Sequence, residues 1–186
     1  MSTIVFRFDL EKATQTAAKF LKFAGGRISY MKLIKLMYLA DREAIFQLEQ
    51  SISGDHYYSL KNGPILSRVK DLITEEDQQE SYWSHHISAP QSYDVMLLND
   101  PGDEALSEAE DEIIQTTFKT YGSIDKFTLA DLTHEICGEW KAPSETGPKA
   151  TPITIESILK ELGKEADIPR IANEVEQQRV LGILLK

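Results

Sequence analysis

The side chains best suited to chemistry are the carboxylates Asp41 and Asp55, the imidazole of His134 and the thiol of Cys137. Asp41 closes the run Tyr38-Leu39-Ala40-Asp41, and Asp55 stands between Gly54 and His56. Gathered at one helix end, two carboxylates and an imidazole would supply an acid–base or ligand-binding cluster. The same groups would also serve as a buried polar network, with Asp55 accepting backbone N–H bonds at a turn. Both readings stay open at this level. His134 and Cys137 lie three apart, the spacing of two metal ligands on one helix face. Adjacent strand residues such as His85 and His86 point to opposite faces, so at most one could join them. A lone thiol with scattered imidazoles is more simply a packed thiol and a hydrogen-bonded ring, so no metal and no cofactor is assigned. A Cys137–His134 nucleophilic pair lacks an orienting third group. Gly25-Gly26 is followed by Arg27 rather than by a Gly-Lys-Ser/Thr sequence, so there is no phosphate loop.

The elements that must position these residues follow from periodicity and capping. A first helix is expected from about Asp9 to Ala24, with Asp9 as N-cap and Gly25-Gly26 as stop. A second, capped by Ser29, reaches about Gln50. Its Leu33, Ile34, Leu36, Met37, Leu39 and Ala40 cover more than one face, so it should be central and largely buried. His56–Leu60 reads as a short aromatic strand and Asn62-Gly63-Pro64 as a turn. A third helix is expected from Ile65, then a polar loop over Glu75–Ser81. Tyr82–Ser88 and Tyr93–Leu98 read as two strands that would join His56–Leu60 in a small antiparallel sheet. Ser107 and Glu110 form a capping box for the next helix, and Thr128 is expected to cap another. Lys141–Pro152 reads as an exposed loop. Thr154 caps Ile155–Leu162, and a last helix runs from Pro169 towards Leu185. The fold class is mainly α (α+β): a helical fold with a central buried helix and a small antiparallel sheet.

A chain of 186 residues fits one domain. Its apolar runs fall short of the ~18 residues of a membrane span, and no signal-peptide pattern opens it. One cysteine excludes an internal disulfide framework, so a reducing, cytoplasmic setting is expected. The net charge of −10 is concentrated: Asp71 to Phe118 holds 13 acidic residues and no Lys or Arg. Such a segment repels a phosphate backbone, which argues against nucleic acid as a partner, and attracts a basic protein. A solvated acidic face is the plainer alternative.

Two motif blocks carry a resemblance. The first is Lys32-Leu33-Ile34-Lys35-Leu36-Met37-Tyr38-Leu39-Ala40-Asp41, then Gly54-Asp55, an aromatic segment including Tyr57, and Gly63-Pro64. The second is Leu132-Thr133-His134 followed after five residues by Trp140. In order and spacing they resemble the SocA-like antitoxins, built on the Panacea domain. One departure is Ile65-Leu66, where the family often has Val with a second Pro close by. The resemblance implies a phage-associated or bacterial antitoxin that neutralises a cognate toxin, encoded by the adjacent gene, through direct protein–protein binding. In the founding case the family member is an adaptor that delivers the toxin to a protease. It also implies one Panacea-like domain, with a motif-bearing core of about 9–140 and a helical extension of about 153–186. The motif positions Lys35, Asp41, Asp55, Gly63, Pro64, His134 and Trp140 would then be largely scaffold, and the protein not an enzyme. The alternative is a small enzyme or ligand-binding protein using Asp41, Asp55 and His134.

For a partner surface the residues to watch are Tyr57, Tyr58, Tyr82, Trp83 and Tyr93, since aromatic side chains are enriched at interface hot spots, together with the acidic stretch Glu75–Glu112. Packing of these aromatics on the second helix is an equal reading. The apolar final helix, with Val180, Leu181, Ile183 and Leu184, docks either on its own domain or in a homodimer.

Overall fold

The computed structural model describes residues 3–74 and 81–184. Helix α1 (Leu10–Phe23) starts where the Asp9 carboxylate accepts the Lys12 amide. Helix α2 (Tyr30–Leu48) is buried over every residue from Leu33 to Asp41. A 3.6-residue period with no polar stripe leaves no face for water, so α2 becomes the axis around which the rest packs. It ends at Glu49, in the left-handed conformation. Around it lie α1, α5 (Glu108–Tyr121), α6 (Lys126–Ile136) and α7 (Ile155–Glu161). The capping box of α5 forms as the sequence indicates: Ser107 accepts the Glu110 amide and the Glu110 carboxylate accepts the Ser107 amide.

There are two small antiparallel sheets, not one. Strands β1 (Arg27–Ser29) and β4 (Asp94–Met96) pair with Ile28 opposite Val95. Strands β2 (Tyr57–Leu60), β3 (Gly63–Leu66) and β5 (Thr151–Ile153) form the other, in the order β3-β2-β5, with Tyr57 opposite both Leu66 and Ile153. The expected pairing of Tyr93–Leu98 with His56–Leu60 is therefore corrected: β4 takes the strand before α2 as its partner.

Further corrections have local causes. The third helix, α3, begins at Ser67 rather than Ile65 (Ser67–Thr74), because Gly63–Leu66 completes a hairpin with β2. Of the expected strand Tyr82–Ser88 only the end is extended, where Ile87 bridges Leu97 in antiparallel fashion. Residues Tyr82–His86 form helix α4, closed by a Ser81–Ser84 capping box. Trp83 and Ile87 are buried while His85 between them is exposed, which suits one helical turn and not a two-residue alternation. Helix α6 starts a turn early, because the Asp125 carboxylate accepts the amides of Phe127 and Thr128. Strand β5 lies at the end of the expected loop. The last helix, α8 (Ile168–Leu184), begins one residue before Pro169, which sits in the first turn where no amide partner is needed. The polar loop over 75–80 and the end of the chain at Leu185 lie outside the described residues.

Five of the nine acids of the acidic segment that lie among the described residues are answered from within. Lys12 pairs with Glu110 at 2.7 Å, Lys19 with Asp103 at 2.8 Å and Asp111 at 2.7 Å, Lys22 with Asp100 at 2.9 Å, and Arg27 with Asp94 at 2.7 Å. Helix α1 and β1 thus lay a basic edge along the acidic one. Glu104, Glu108 and Glu112 carry no such partner among the described residues.

Candidate functional site

Asp41 and Asp55 do come together, at the point where α2 hands over to β2. The Asp41 carboxylate is buried and accepts four hydrogen bonds: the Ser51 hydroxyl at 3.1 Å, the Ser53 amide at 3.1 Å, the Ser53 hydroxyl, and the Tyr57 hydroxyl at 2.8 Å. Burial raises its pKa from 3.8 to about 6, against the pull of those donors. Ser53 Oγ in turn accepts the Asp55 amide at 3.1 Å, which links the two acids. The Asp55 carboxylate accepts the amides of His56 at 2.6 Å, Arg68 at 2.9 Å and Val69 at 2.9 Å. Arg68 and Val69 open α3, so Asp55 caps that helix from a distant segment. Burial pushes its pKa above the ordinary value, opposed by the three amides. Gly54 is needed here: its φ is +66°, and a Cβ would stand 2.0 Å from the Arg7 carbonyl oxygen. Every oxygen of this acid pair is therefore committed to holding α2, β2 and α3 in register.

His134 belongs to a different set. Its ring stacks on Trp140 with centroids 3.9 Å apart, and its Nε2 is buried without a hydrogen-bond partner among the described residues. Burial, then the nearby Lys35 charge, holds its pKa below the ordinary value. Trp140 donates its indole N–H to the Leu60 carbonyl at 2.9 Å, tying the segment after α6 to the end of β2. Lys35 is almost wholly buried and donates to the Pro64 carbonyl at 2.6 Å. No carboxylate pairs with it among the described residues, so burial lowers its pKa to about 7, the Cys137 interaction opposing. Gly63 (φ +101°) allows this contact: a Cβ there would stand 2.6 Å from Thr133 Oγ1 and 3.0 Å from Lys35 Nζ.

Sequence reasoning missed Glu139, the acid of a second buried network. Its carboxylate accepts the Tyr38 hydroxyl at 2.7 Å and two Arg42 guanidinium bonds, at 2.7 and 3.1 Å. The signal was an acidic residue inside the Cys137–Trp140 segment, one place before the motif tryptophan. Cys137 is fully buried at the end of α6, and burial, then the Glu139 charge, pushes its thiol up to about 12. It rests as a thiol at neutral pH, which makes it a poor nucleophile. Among the described residues no three His, Cys, Asp or Glu side chains gather as a metal would require.

The aromatic candidates divide by exposure. Tyr57 and Trp83 are core residues, at 2% and 0% exposed, while Tyr58 and Tyr82 are half-buried. Tyr93 is 68% exposed. It lies by Tyr30, ring centroids 6.2 Å apart, and under the Lys126 ammonium, which also reaches the 64% exposed Phe127. On α8, Val180, Leu181, Ile183 and Leu184 are exposed.

The sequence model of the family described as "Antitoxin SocA-like, Panacea domain" matches residues 33–141, more than half of the chain. The match runs from α2 to the residue after Trp140 and takes in Lys35, Asp41, Asp55, Gly63, Pro64 and His134. No curated protein and no solved structure matches the chain.

Proposed function

The chain belongs to the SocA-like antitoxin family of the Panacea-domain type, and on that footing we propose that it neutralises a cognate toxin, the product of the adjacent gene, by direct protein–protein binding and without catalysis. The family match carries this reading. The geometry supports it, because the side chains suited to chemistry are used up in holding the scaffold: Asp41 and Asp55 in hydrogen bonds to Ser51, Ser53, Tyr57 and the start of α3, Cys137 as a buried thiol. The small-enzyme alternative needs His134 beside the two acids, whereas its ring is stacked on Trp140.

For the toxin we favour the exposed Tyr93 with its neighbours Lys126 and Phe127, and as further contacts the half-buried Tyr58 and Tyr82 and the acidic stretch Glu75–Glu112. A rigid, exposed tyrosine gives large contact area at small entropic cost. We read the motif-bearing part and the helical extension as one domain, supported by β5 completing the sheet around β2 and by Ile158 and Leu159 in the core. We also propose a cytoplasmic setting. Among the described residues no helix is long and apolar enough to cross a membrane. The apolar end of α8 is the surface we assign to a second copy.

The test is co-expression with the adjacent gene product. A toxic neighbour that is rescued and co-purifies supports the reading, and a Tyr93→Ala/Phe127→Ala variant should then lose about 2 kcal/mol or more of binding with its fold intact. Rescue with steady loss of toxin protein would point to proteolytic delivery instead. A neighbour that is neither toxic nor bound overturns the proposal.

A further inference from the structure

On the side of the molecule where the β2–β3 hairpin meets the start of α2 there is a half-open cavity of about 330 Å³. Its walls are apolar: Met31, Ile34, Leu60 and Ile65, with the Tyr30 ring at the edge. Four lysines line it, Lys35 below and Lys61, Lys70 and Lys149 around the mouth, and among the described residues no acidic side chain does. In a chain of net charge −10 that is a local reversal of sign. Lys12, Lys19, Lys22 and Arg27 each have a carboxylate within 3.0 Å, whereas Lys61, Lys70 and Lys149 have no ion-pair partner among the described residues. Apolar walls with a few convergent polar groups, at this volume, are the usual build of a small-molecule pocket.

We propose that this pocket binds a small organic anion, an apolar body bearing a carboxylate head, with the body against Met31, Ile34 and Ile65 and the head among Lys61, Lys70 and Lys149. An added peptide strand fits less well. β3, the edge strand on this side, has no N–H to offer at Pro64, and the Pro64 carbonyl is already taken by Lys35. What remains is a closed-off edge with a cationic mouth, suited to a compact ligand. The inference stands apart from toxin neutralisation: the pocket borders the Tyr93 patch through Tyr30, but Tyr93 itself does not line it.

Octanoate is the probe, titrated calorimetrically into the full chain, with acetate and 1-octanol as controls. Octanoate should saturate one site with a Kd of about 1 mM or below. Acetate lacks the body and octanol the charge, so both should bind far more weakly. Lys61→Glu with Lys149→Glu, both on the surface, should leave the thermal midpoint unchanged and weaken octanoate by about tenfold or more, and added salt should weaken the parent protein in the same direction. No saturable octanoate binding, octanol binding as tightly, or indifference to the double reversal would each overturn the proposal.

Discussion

Replacing Lys35 by methionine isolates the effect of one buried charge. The ammonium is 2% exposed and holds one neutral acceptor, the Pro64 carbonyl, with no carboxylate partner among the described residues. Burial takes its pKa from 10.5 to about 7 in the fold. Below pH 7 both folded and unfolded chains carry the proton, and the fold bears the full cost of the buried charge. Between the two pKa values the unfolded chain keeps the proton that the fold has released, so stability rises with pH across that window. The slope is about 1.4 kcal/mol per pH unit, which sums to roughly 4–5 kcal/mol. A methionine side chain has no such titration and fills a similar volume. Near pH 6.5 we expect Lys35→Met to be the more stable protein by about 1–4 kcal/mol, as when an apolar side chain replaces a buried charge. The advantage should shrink steadily towards pH 9.5. Urea denaturation of both proteins across this range, taken as a difference, cancels the titrations they share, including the buried Tyr38 and Tyr57. A difference that stays flat between about pH 7 and 9 would refute the reasoning, for it would mean that the ammonium is solvated where it stands.

Other perturbations test the remaining networks. Asp41 behaves as the mirror case: its pKa is raised from 3.8 to about 6, so its contribution is greatest below pH 4 and is lost as pH rises through 6. Asp41→Asn should remove a decline of about 3 kcal/mol across that window, read from the same denaturation series. Asp55→Ala leaves the amides of His56, Arg68 and Val69 without their acceptor. It should cost about 3 kcal/mol, with faster hydrogen exchange confined first to the opening turn of α3. Gly63→Ala meets both a positive φ and the Thr133 hydroxyl, and should lower stability by about 2 kcal/mol or more by thermal denaturation. Glu139→Ala strands the Arg42 guanidinium and should cost about 3–5 kcal/mol, whereas a Tyr38→Phe change costs about 1 kcal/mol.

The helices were legible where capping and period agreed. Asp9, Ser107 with Glu110, and Thr154 mark true starts, and the run from Leu33 to Ala40 declares a buried axis. Tyr82–His86 misled because aromatic content suggests a strand, while the Ser81–Ser84 reciprocal cap is a local bond that composition does not display. Of the strand partners, only the contact of the Tyr82–Ser88 and Tyr93–Leu98 segments was legible, and it survives as the Ile87–Leu97 bridge. β1 has three residues and no alternation to read, so its pairing with β4 is decided by where α1 and α2 leave it. At the site, the spacing of Gly54-Asp55 after Asp41 was enough to suggest a network, and Ser53 turned out to be its bridge. The separation of His134 depended on tertiary packing, since only the folded chain shows that Trp140 claims its ring. Charge was the least reliable guide, because α1 returns to the acidic segment the lysines that a linear count leaves elsewhere.

Strand β2 is flanked on one side by its hairpin neighbour β3 and on the other by β5, which lies beyond the segment matched by the family. On the ribosome these two borders arrive far apart in time. The hairpin can close as soon as Leu66 is clear of the exit tunnel, yet Tyr57–Ser59 must wait with one backbone edge open until Thr151–Ile153 has been synthesised. A nascent chain in that interval offers a sticky strand to any neighbour, including another copy on the same message. The order of synthesis therefore leaves this border of β2 unpaired until its last neighbour has been made.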